Sequence, residues 1–393
     1  MPITCSRSTL LFLHGSADLY GSDITLLQLV SGLDQERFRC VVIVPYAGPL
    51  IPYLQRAGAE VIVRSHLPVL RRQHTNLKGF MHIAVSSFRS VRWLIGFMRR
   101  QDVALVHSNT LAVLVAGLVT VLARRPQVFH VHEIITRPRA VASLLATLSS
   151  AVSTVVVANS QATADHYRRA CLATLAPIKV IMNGTGESRL HKRSKSSLRL
   201  HVGAGPRHTI FTLIGRINRW KGHFVFIEAA EFLATEFEHV RFLVVGDSFS
   251  GQERLSEAVD RRIQSSDVLK GRMARLPHIA EVGSVYAASD IIVVPSTEPE
   301  PFGLVAVEAM AAGLPVIASR VGALPEIIDD NRTGFLVEPN NSAALLAAMK
   351  ELIVSPHQQA TMGREGRKRF ESCFRVERYV DEFAGLYKEI LEG

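Results

Sequence analysis

The sequence predicts an α/β protein of two domains, each a parallel sheet layered with helices. Three observations carry that expectation. At 393 residues the chain exceeds the length, roughly 250–300 residues, at which one hydrophobic core splits into two. Short apolar runs rich in Val and Ile alternate with helix-length segments, the pattern of strands buried on both faces. That alternation stops at a polar, Lys-, Ser- and Gly-containing stretch, 187–207, and then begins again. With 48% hydrophobic and 20% charged residues the chain can fill two cores and is not disordered. Cys5, Cys40, Cys171 and Cys373 are scattered and form no Cys-x-x-Cys pair. They predict neither a disulfide framework nor a zinc site, and point to a reducing compartment.

In the first half, residues 9–14 form the first expected strand, followed by a loop over 15–23 and a helix over 24–33. Gly21 and Ser22 are small enough for a diphosphate to approach the backbone at that helix start. Strands at 40–45 and 59–63 follow. Over 77–100, Met81, Val85, Phe88, Val91, Ile95 and Met98 recur at helical spacing, while Arg89, Arg92, Arg99 and Arg100 lie mostly outside the stripe. Two readings stand for this helix. It packs on the sheet with a solvated basic face, or it is a membrane-surface or acceptor-docking helix with Trp93 and Phe97 dipping into the interface. The apolar stretch 111–123 is shorter than the roughly 20 residues of a membrane span, so a buried helix is expected. Strands at 103–107 and 127–132 end in Ser108-Asn109-Thr110 and His130-Val131-His132-Glu133. Alternation puts His130 and His132 on one side of their strand, at the end where open α/β sheets bind ligands. Arg137 and Arg139 follow as candidates for phosphate. Strands at 154–158 and 179–182 close this half, and Asn183-Gly184 marks a turn.

The second half begins with a strand at 208–214, the loop Gly215 to Gly222 and a helix over 224–235. Arg216 and Lys221 stand in that loop. A guanidinium fork and an ammonium near one another suit a diphosphate, and equally suit solvated loop charges. Strands at 241–245, 271–276 and 291–295 extend the sheet. After the loop Ser296 to Gly303, a helix is expected over 304–312, with Gly313 as its cap and Pro315 blocking its continuation. The N–H groups around Phe302, Gly303 and Leu304 face out of the helix start, where the dipole favours an anion. Glu300 precedes this helix and Glu308 lies about one turn inside it. Each carboxylate could accept hydroxyl donors of a sugar or ribose, although a loop charge and a solvated helix residue have the same spacing. From 342 onward helices dominate.

The net charge of +10 is unevenly placed: 19 Lys or Arg against 9 Asp or Glu up to Glu187, then 26 of each. Between Val61 and Gln101 there are eight basic residues and no acid. Such a face suits anionic lipid, a lipid diphosphate or nucleic acid. No nucleic-acid module is present, so no nucleic-acid partner is expected. The short apolar run 10–13 reads as a strand and not as a signal peptide.

Glu300-Pro301-Phe302-Gly303, Glu308-Ala309-Met310 and Gly313-Leu314-Pro315-Val316-Ile317-Ala318 resemble the C-terminal signature of the retaining glycosyltransferases of family 4. Val321-Gly322-Ala323-Leu324-Pro325-Glu326-Ile327 and Thr333-Gly334-Phe335-Leu336-Val337 continue the match. The resemblance implies a GT-B fold, two Rossmann-like domains facing across a cleft. Residues 1–187 would bind the acceptor and 188–375 the nucleotide-sugar donor, with a helix at about 376–393 crossing back to the N-terminal domain. It further implies that Arg216 and Lys221 clamp the donor diphosphate, that Gly21-Ser22 matches a glycine-rich first loop, and that His132 reaches the transferred sugar, with Glu133 a weaker candidate. Glu300 and the amides of Phe302 and Gly303 would hold the sugar, with Leu304 at the helix start, and Glu308 the ribose. Glu326 is read as structural.

The implied activity is metal-independent transfer, with retention, from a UDP- or GDP-linked sugar to a saccharide or lipid-linked saccharide in surface polysaccharide synthesis. The nucleotide sugar is the substrate, and no cofactor is expected. Without an Asp-x-Asp triplet, the diphosphate charge would fall to Arg216, Lys221 and backbone N–H groups. Few acids stand at strand ends in the N-terminal half (Asp18, Asp23, Asp102, Glu133 and Asp165), which favours front-face attack over a double displacement. The expected location is cytoplasmic, peripheral on the inner face of the plasma membrane. Two rivals remain: a nucleotide-sugar 2-epimerase on the same fold, and a non-catalytic nucleotide-sugar binding subunit. The intact Arg216, Lys221, Glu300 and Glu308 argue against the latter.

Overall fold

The computed structural model describes residues 7–69, 77–111, 113, 115–187, 196–249 and 251–393, with backbone alone at 77–88, 115, 196 and 197. The chain divides into two units, Met1–Asn183 with Val376–Gly393, and Gly184–Arg375.

The first unit alternates β1 (Ser8–Leu13), α1 (Gly21–Gly32), β2 (Phe38–Val44), α2 (Ile51–Arg56), β3 (Glu60–Val63), α3 (Leu77–Arg100), β4 (Val103–Ser108), α4 (Val115–Ala123), β5 (Gln127–Val131), α5 (Arg139–Val152), β6 (Val155–Ala158), α6 (Gln161–Ala170) and β7 (Ile178–Val180). Its sheet runs β3-β2-β1-β4-β5-β6-β7, with every pairing parallel. The second unit holds α7 (Ser196–His201), β8 (Thr209–Ile214), α8 (His223–Glu236), β9 (Val240–Val245), α9 (Glu253–Gln264), β10 (Met273–Leu276), α10 (Gly283–Ala288), β11 (Ile291–Val294), α11 (Leu304–Ala311), β12 (Val316–Ser319), α12 (Leu324–Ile327), β13 (Gly334–Val337), α13 (Ser342–Val354) and α14 (Pro356–Cys373). Its sheet, also all parallel, runs β10-β9-β8-β11-β12-β13. Both are Rossmann-like, and helices cover both faces of each. Leu10 to Leu13, Val41 to Val44 and Val155 to Val157 are therefore buried irrespective of alternation. In each sheet the strand order reverses next to its first strand, at β1/β4 and at β8/β11. The crevice outside such a reversal is where open α/β sheets receive ligands.

The last helix, α15 (Val376–Glu392), belongs to the first unit. Its fully buried Tyr379, Phe383 and Tyr387 lie against imidazoles of β4 and β5. Phe383 sits 4.9 Å from the His130 ring and 5.4 Å from that of His107, and Tyr387 Oη is 2.7 Å from His107 Nδ1.

Two expectations change. The segment expected as a buried helix over 111–123 becomes a shorter α4 with only one face on the core; Leu118, Val121 and Leu122 are each more than half exposed. In α3, Trp93 and Phe97 do not form an outward interfacial pair. Phe97 is buried, Trp93 stacks on it at 5.0 Å, and the Arg64 guanidinium covers the Trp93 ring at 4.1 Å. Arg89, Arg92, Arg99 and Arg100 face solvent, so the described turns of α3 are a packed helix with a basic outer face. The side chains of Met81, Val85 and Phe88 lie outside the described residues.

Candidate active site

At the β8/β11 reversal two loops are laced together. Asn218 Oδ1 accepts from the backbone N–H groups of Trp220 (3.1 Å) and Lys221 (3.0 Å), and Thr297 N donates to Trp220 O at 2.8 Å. This lacing brings together two residues 79 positions apart: Lys221 Nζ donates to both Glu300 oxygens, at 2.7 and 2.8 Å. Ser296 Oγ adds a bond to Glu300 Oε2 at 2.9 Å. The pair is largely but not fully withdrawn from water, with side-chain exposures of 21% for Lys221 and 11% for Glu300. Sequence reasoning placed Lys221 on phosphate and Glu300 on sugar as separate groups; here they form one ion pair.

Glu300 is fixed from behind by Gly322. That residue has φ +56°, and a Cβ there would lie 2.2 Å from Glu300 O. Ala323 N then donates to the same oxygen at 2.9 Å. Gly303 caps α11 with φ +107°, and a Cβ on it would lie 2.8 Å from Leu324 Cδ2. The glycine therefore turns the chain into the helix where a side chain would not fit. Phe302 is buried edge-on to Phe374, with centroids 6.2 Å apart, so its amide and not its ring is available. Leu304 begins α11 and is half-buried. Glu308 lies on that helix at 3% exposure, and its Oε2 accepts from Tyr286 Oη at 2.8 Å. It is not a solvated helix charge. Arg216 is half-buried, its guanidinium 3.7 Å from the centroid of the Phe249 ring. His223, just past Gly222, is buried and pushed down to about 3, first by burial and then by the Lys221 and Arg275 charges.

At the β1/β4 reversal the contents differ. His14 directly follows β1 and Asn109 directly follows β4. His14 Nε2 is 2.7 Å from Asp23 Oδ1, and both side chains are 2% exposed. Asn109 Nδ2 lies 3.1 Å from His14 Nδ1, and Asn109 Oδ1 lies 3.1 Å from His132 Nε2. Burial first, then the neighbouring His14 and His107, push His132 down to about 3, so its imidazole is neutral. His132 directly follows β5, and its ring lies on the same side as that of His130, as alternation predicts, with centroids 3.9 Å apart. His130 is fully buried beneath α15, which gives it a packing role. Glu133 accepts from Thr110 Oγ1 and from the backbone N–H of His132 (3.1 Å), and burial raises its pKa. Gly21 and Ser22 are the first two residues of α1, not loop residues. A Cβ on Gly21 would meet nothing within 4 Å, so nothing in the chain itself demands glycine there. Arg137 and Arg139 are exposed.

Sequence reasoning missed His14 and the network role of Asn109, took Asp23 only as a loop acid, and did not single out Tyr286. The available signal was position: His14 and Asn109 stand immediately after the two strands that flank the reversal.

Two family models match the chain, one described as Glycosyltransferase Family 4 over residues 20–189 and one as Glycosyl transferases group 1 over residues 200–369. The D-inositol 3-phosphate glycosyltransferase of Segniliparus rotundus is 32% identical over 61% of this chain and 53% of the relative. That of Rhodococcus jostii is 34% identical over 59% and 52%. The chain thus spans about half the length of these curated relatives. Among solved structures, Anabaena HepE in complex with UDP and glucose is 25% identical, with a TM-score of 0.83 over 96% of this chain and 99% of that one. WaaG, a glycosyltransferase involved in lipopolysaccharide biosynthesis, is similar in fold, at 14% identity and a TM-score of 0.69 over 96% and 99% of the two chains.

Proposed function

This chain belongs to glycosyltransferase family 4 and has the GT-B fold, and we propose that it moves a hexosyl group, with retention, from a nucleotide-diphosphate sugar to an acceptor hydroxyl. The observation that carries the reading is the Lys221–Glu300 pair at the β8/β11 reversal, with Arg216 on the same loop as Lys221 and the start of α11 beside Glu300. In this reading Arg216, Lys221 and the free N–H groups at α11 take the charge that grows on the departing diphosphate. Such preorganised stabilisation gives the largest returns in catalysis. Glu300 accepts sugar hydroxyls once diphosphate competes for Lys221, Glu308 faces the ribose, and His132 contacts the transferred sugar. No metal takes part, so chelator leaves turnover unchanged. UDP-glucose is the first donor to try, because UDP and glucose are bound in the HepE structure.

The decisive experiment incubates UDP- and GDP-sugars with the protein, follows nucleotide diphosphate release, and repeats this with Glu300→Ala. A product with the donor's anomeric configuration, read from NMR coupling constants, supports the reading. An epimerised sugar, an inverted anomer, or normal release by the variant overturns it.

A saccharide or lipid-linked saccharide is the proposed acceptor, carried by the first unit, in surface polysaccharide synthesis. A phosphorylated polyol is a second reading, favoured by the activity named for the curated relatives. Presenting both acceptors to the loaded enzyme separates them.

Peripheral contact with an anionic bilayer is proposed for the neighbouring α4 and α5. These helices expose Leu118, Val121, Leu122, Val141, Leu144 and Leu148 beside Arg124, Arg125 and Arg139. An apolar face edged with arginine complements a negatively charged interface. Among the described residues no helix is long and apolar enough to cross a membrane. Co-sedimentation with phosphatidylglycerol vesicles but not phosphatidylcholine, lost in Leu144→Asp/Leu148→Asp, is the expected result. Binding unchanged in that variant, or a stable dimer formed through this face instead, overturns the assignment.

A further inference from the structure

We infer that Asp23, His14 and Asn109 are positioning residues that hold His132 as its Nε2–H tautomer, leaving the Nδ1 lone pair as the ring's acceptor for a substrate hydroxyl. The substrate part rests on the proposed role of His132; the order of hydrogen bonds does not.

The order follows from which atoms can only accept or only donate. Asp23 Oδ2 takes the backbone N–H of Tyr20 at 2.9 Å, and Oδ1 faces His14 Nε2 at 2.7 Å. Burial raises the Asp23 pKa, but the hydrogen bonds from His14 and the Tyr20 N–H outweigh it and hold the carboxylate below its usual range. An ionised carboxylate only accepts, so the His14 proton is on Nε2. His14 Nδ1 then accepts from Asn109 Nδ2 at 3.1 Å.

A second anchor fixes the amide independently. Asn109 Nδ2 also lies 3.3 Å from the carbonyl of Ser22, which cannot donate. Both contacts turn the Asn109 amino group toward His14 and α1, and therefore its Oδ1 toward His132 Nε2 at 3.1 Å. A carbonyl oxygen only accepts, so His132 must carry its proton on Nε2. The opposite tautomer would set two lone pairs against each other. Among the described residues His132 Nδ1 takes no hydrogen bond, and it is not among the sealed polar atoms. A ring held this way receives a hydroxyl hydrogen and does not donate to one. That distinguishes a sugar O–H from an acceptor-only oxygen of a phosphate.

Asp23→Asn works against this order from one end. The Tyr20 N–H retains the amide oxygen, so the new amino group faces His14 Nε2. His14 must then carry its proton on Nδ1, which competes with the Ser22 carbonyl for the orientation of Asn109, and in the fraction where Asn109 turns over His132 Nε2 becomes an acceptor. The test is a long-range proton–nitrogen correlation spectrum of the full chain labelled with 15N-histidine at pH 7.5, with His132 assigned by its disappearance in His132→Gln. The expected spectrum has His132 as Nε2–H in the parent protein and Nδ1–H populated in Asp23→Asn. In the same variant kcat falls about tenfold or more, while donor KM stays within about twofold. Asn109→Leu, which leaves Asp23 and His14 in place, is the second variant. There His132 should show exchange-averaged nitrogens in place of a single tautomer. His132 found as Nδ1–H or imidazolium in the parent, or unchanged in both variants, overturns the inference. If His132→Gln instead keeps full turnover, it is the proposed role of His132 that fails, and the measured tautomer stands apart from it.

Discussion

At the β8/β11 reversal stand a lysine and a glutamate, charged, paired and touched by solvent; at the β1/β4 reversal stand two imidazoles joined through a buried carboxamide. The strand order around the two places is the same. What differs is which residues the sequence puts immediately after the strands, and so what each crevice can hold. One is built to meet and release a highly charged group. The other has fixed donors and acceptors ordered from one buried carboxylate, Asp23. A shared scaffold therefore sets where chemistry happens, and the strand-end residues set which chemistry.

The comparison breaks most sharply at Glu300. Glu300→Ala should lower kcat by about a thousandfold. Lys221→Ala should cost nearly as much, and the double variant should lose little more than either, because the two act as one pair. Steady-state turnover of the three variants checks this, and strict additivity would mean that the pair does not act as a unit.

Acid should separate the units next. Burial holds His107 and His132 down to about 3 and His130 well below its ordinary value, all in the first unit; His223 is the counterpart in the second. An unfolded histidine takes its proton near 6.5, so between that pH and about 3 the unfolded state binds more protons than the folded one. Stability therefore falls as pH falls through this window, by about 1.4 kcal/mol per pH unit for each such histidine. With three deeply buried imidazoles against one, and only the half-buried His208 lowered besides in the second unit, the first unit should open at the higher pH, as read by hydrogen exchange at pH 7, 6 and 5. Asp23 moves in the same direction but only below its ordinary 3.8, because its carboxylate is stabilised in the fold.

His132→Ala should cost about a hundredfold in kcat, less than either member of the charged pair, with unchanged melting. A larger loss than Glu300→Ala would invert the comparison. Gly322→Ala should show the smallest effect on turnover, with a loss of about 1–3 kcal/mol of stability by thermal unfolding. It should act only on the second site, by pushing the Glu300 backbone, so donor KM should rise while the His132 nitrogens keep their spectrum.

Much of this was legible in the chain. The Val- and Ile-rich runs gave the parallel strands, and the loop from Ser296 to Gly303 with the following apolar helix marked the second-unit site. The buried state of Glu308 could also have been found, since its helix, Leu304–Ala311, is otherwise apolar on every side. Other features were not legible, for physical reasons. The Lys221–Glu300 pair and the His14–Asn109 contact join residues 79 and 95 positions apart, and only strand order brings them together. Trp93 reads as interfacial by residue type but turns inward because Phe97 and Arg64 offer it a stacking partner and a cation. The six-residue α2 is too short for periodicity to register, and β12 and β13, at four residues each, fall in a motif whose glycines and prolines suggest loop.

The place of α15 has a consequence for how the protein is made. Tyr379, Phe383 and Tyr387 close the aromatic floor beneath His107 and His130, yet they are encoded after the whole of Gly184–Arg375. On the ribosome the second unit, uninterrupted in sequence, is complete first. The first unit, though translated earlier, must wait with its imidazoles unroofed until residues 376–393 emerge, so the half synthesised first is the half that finishes last.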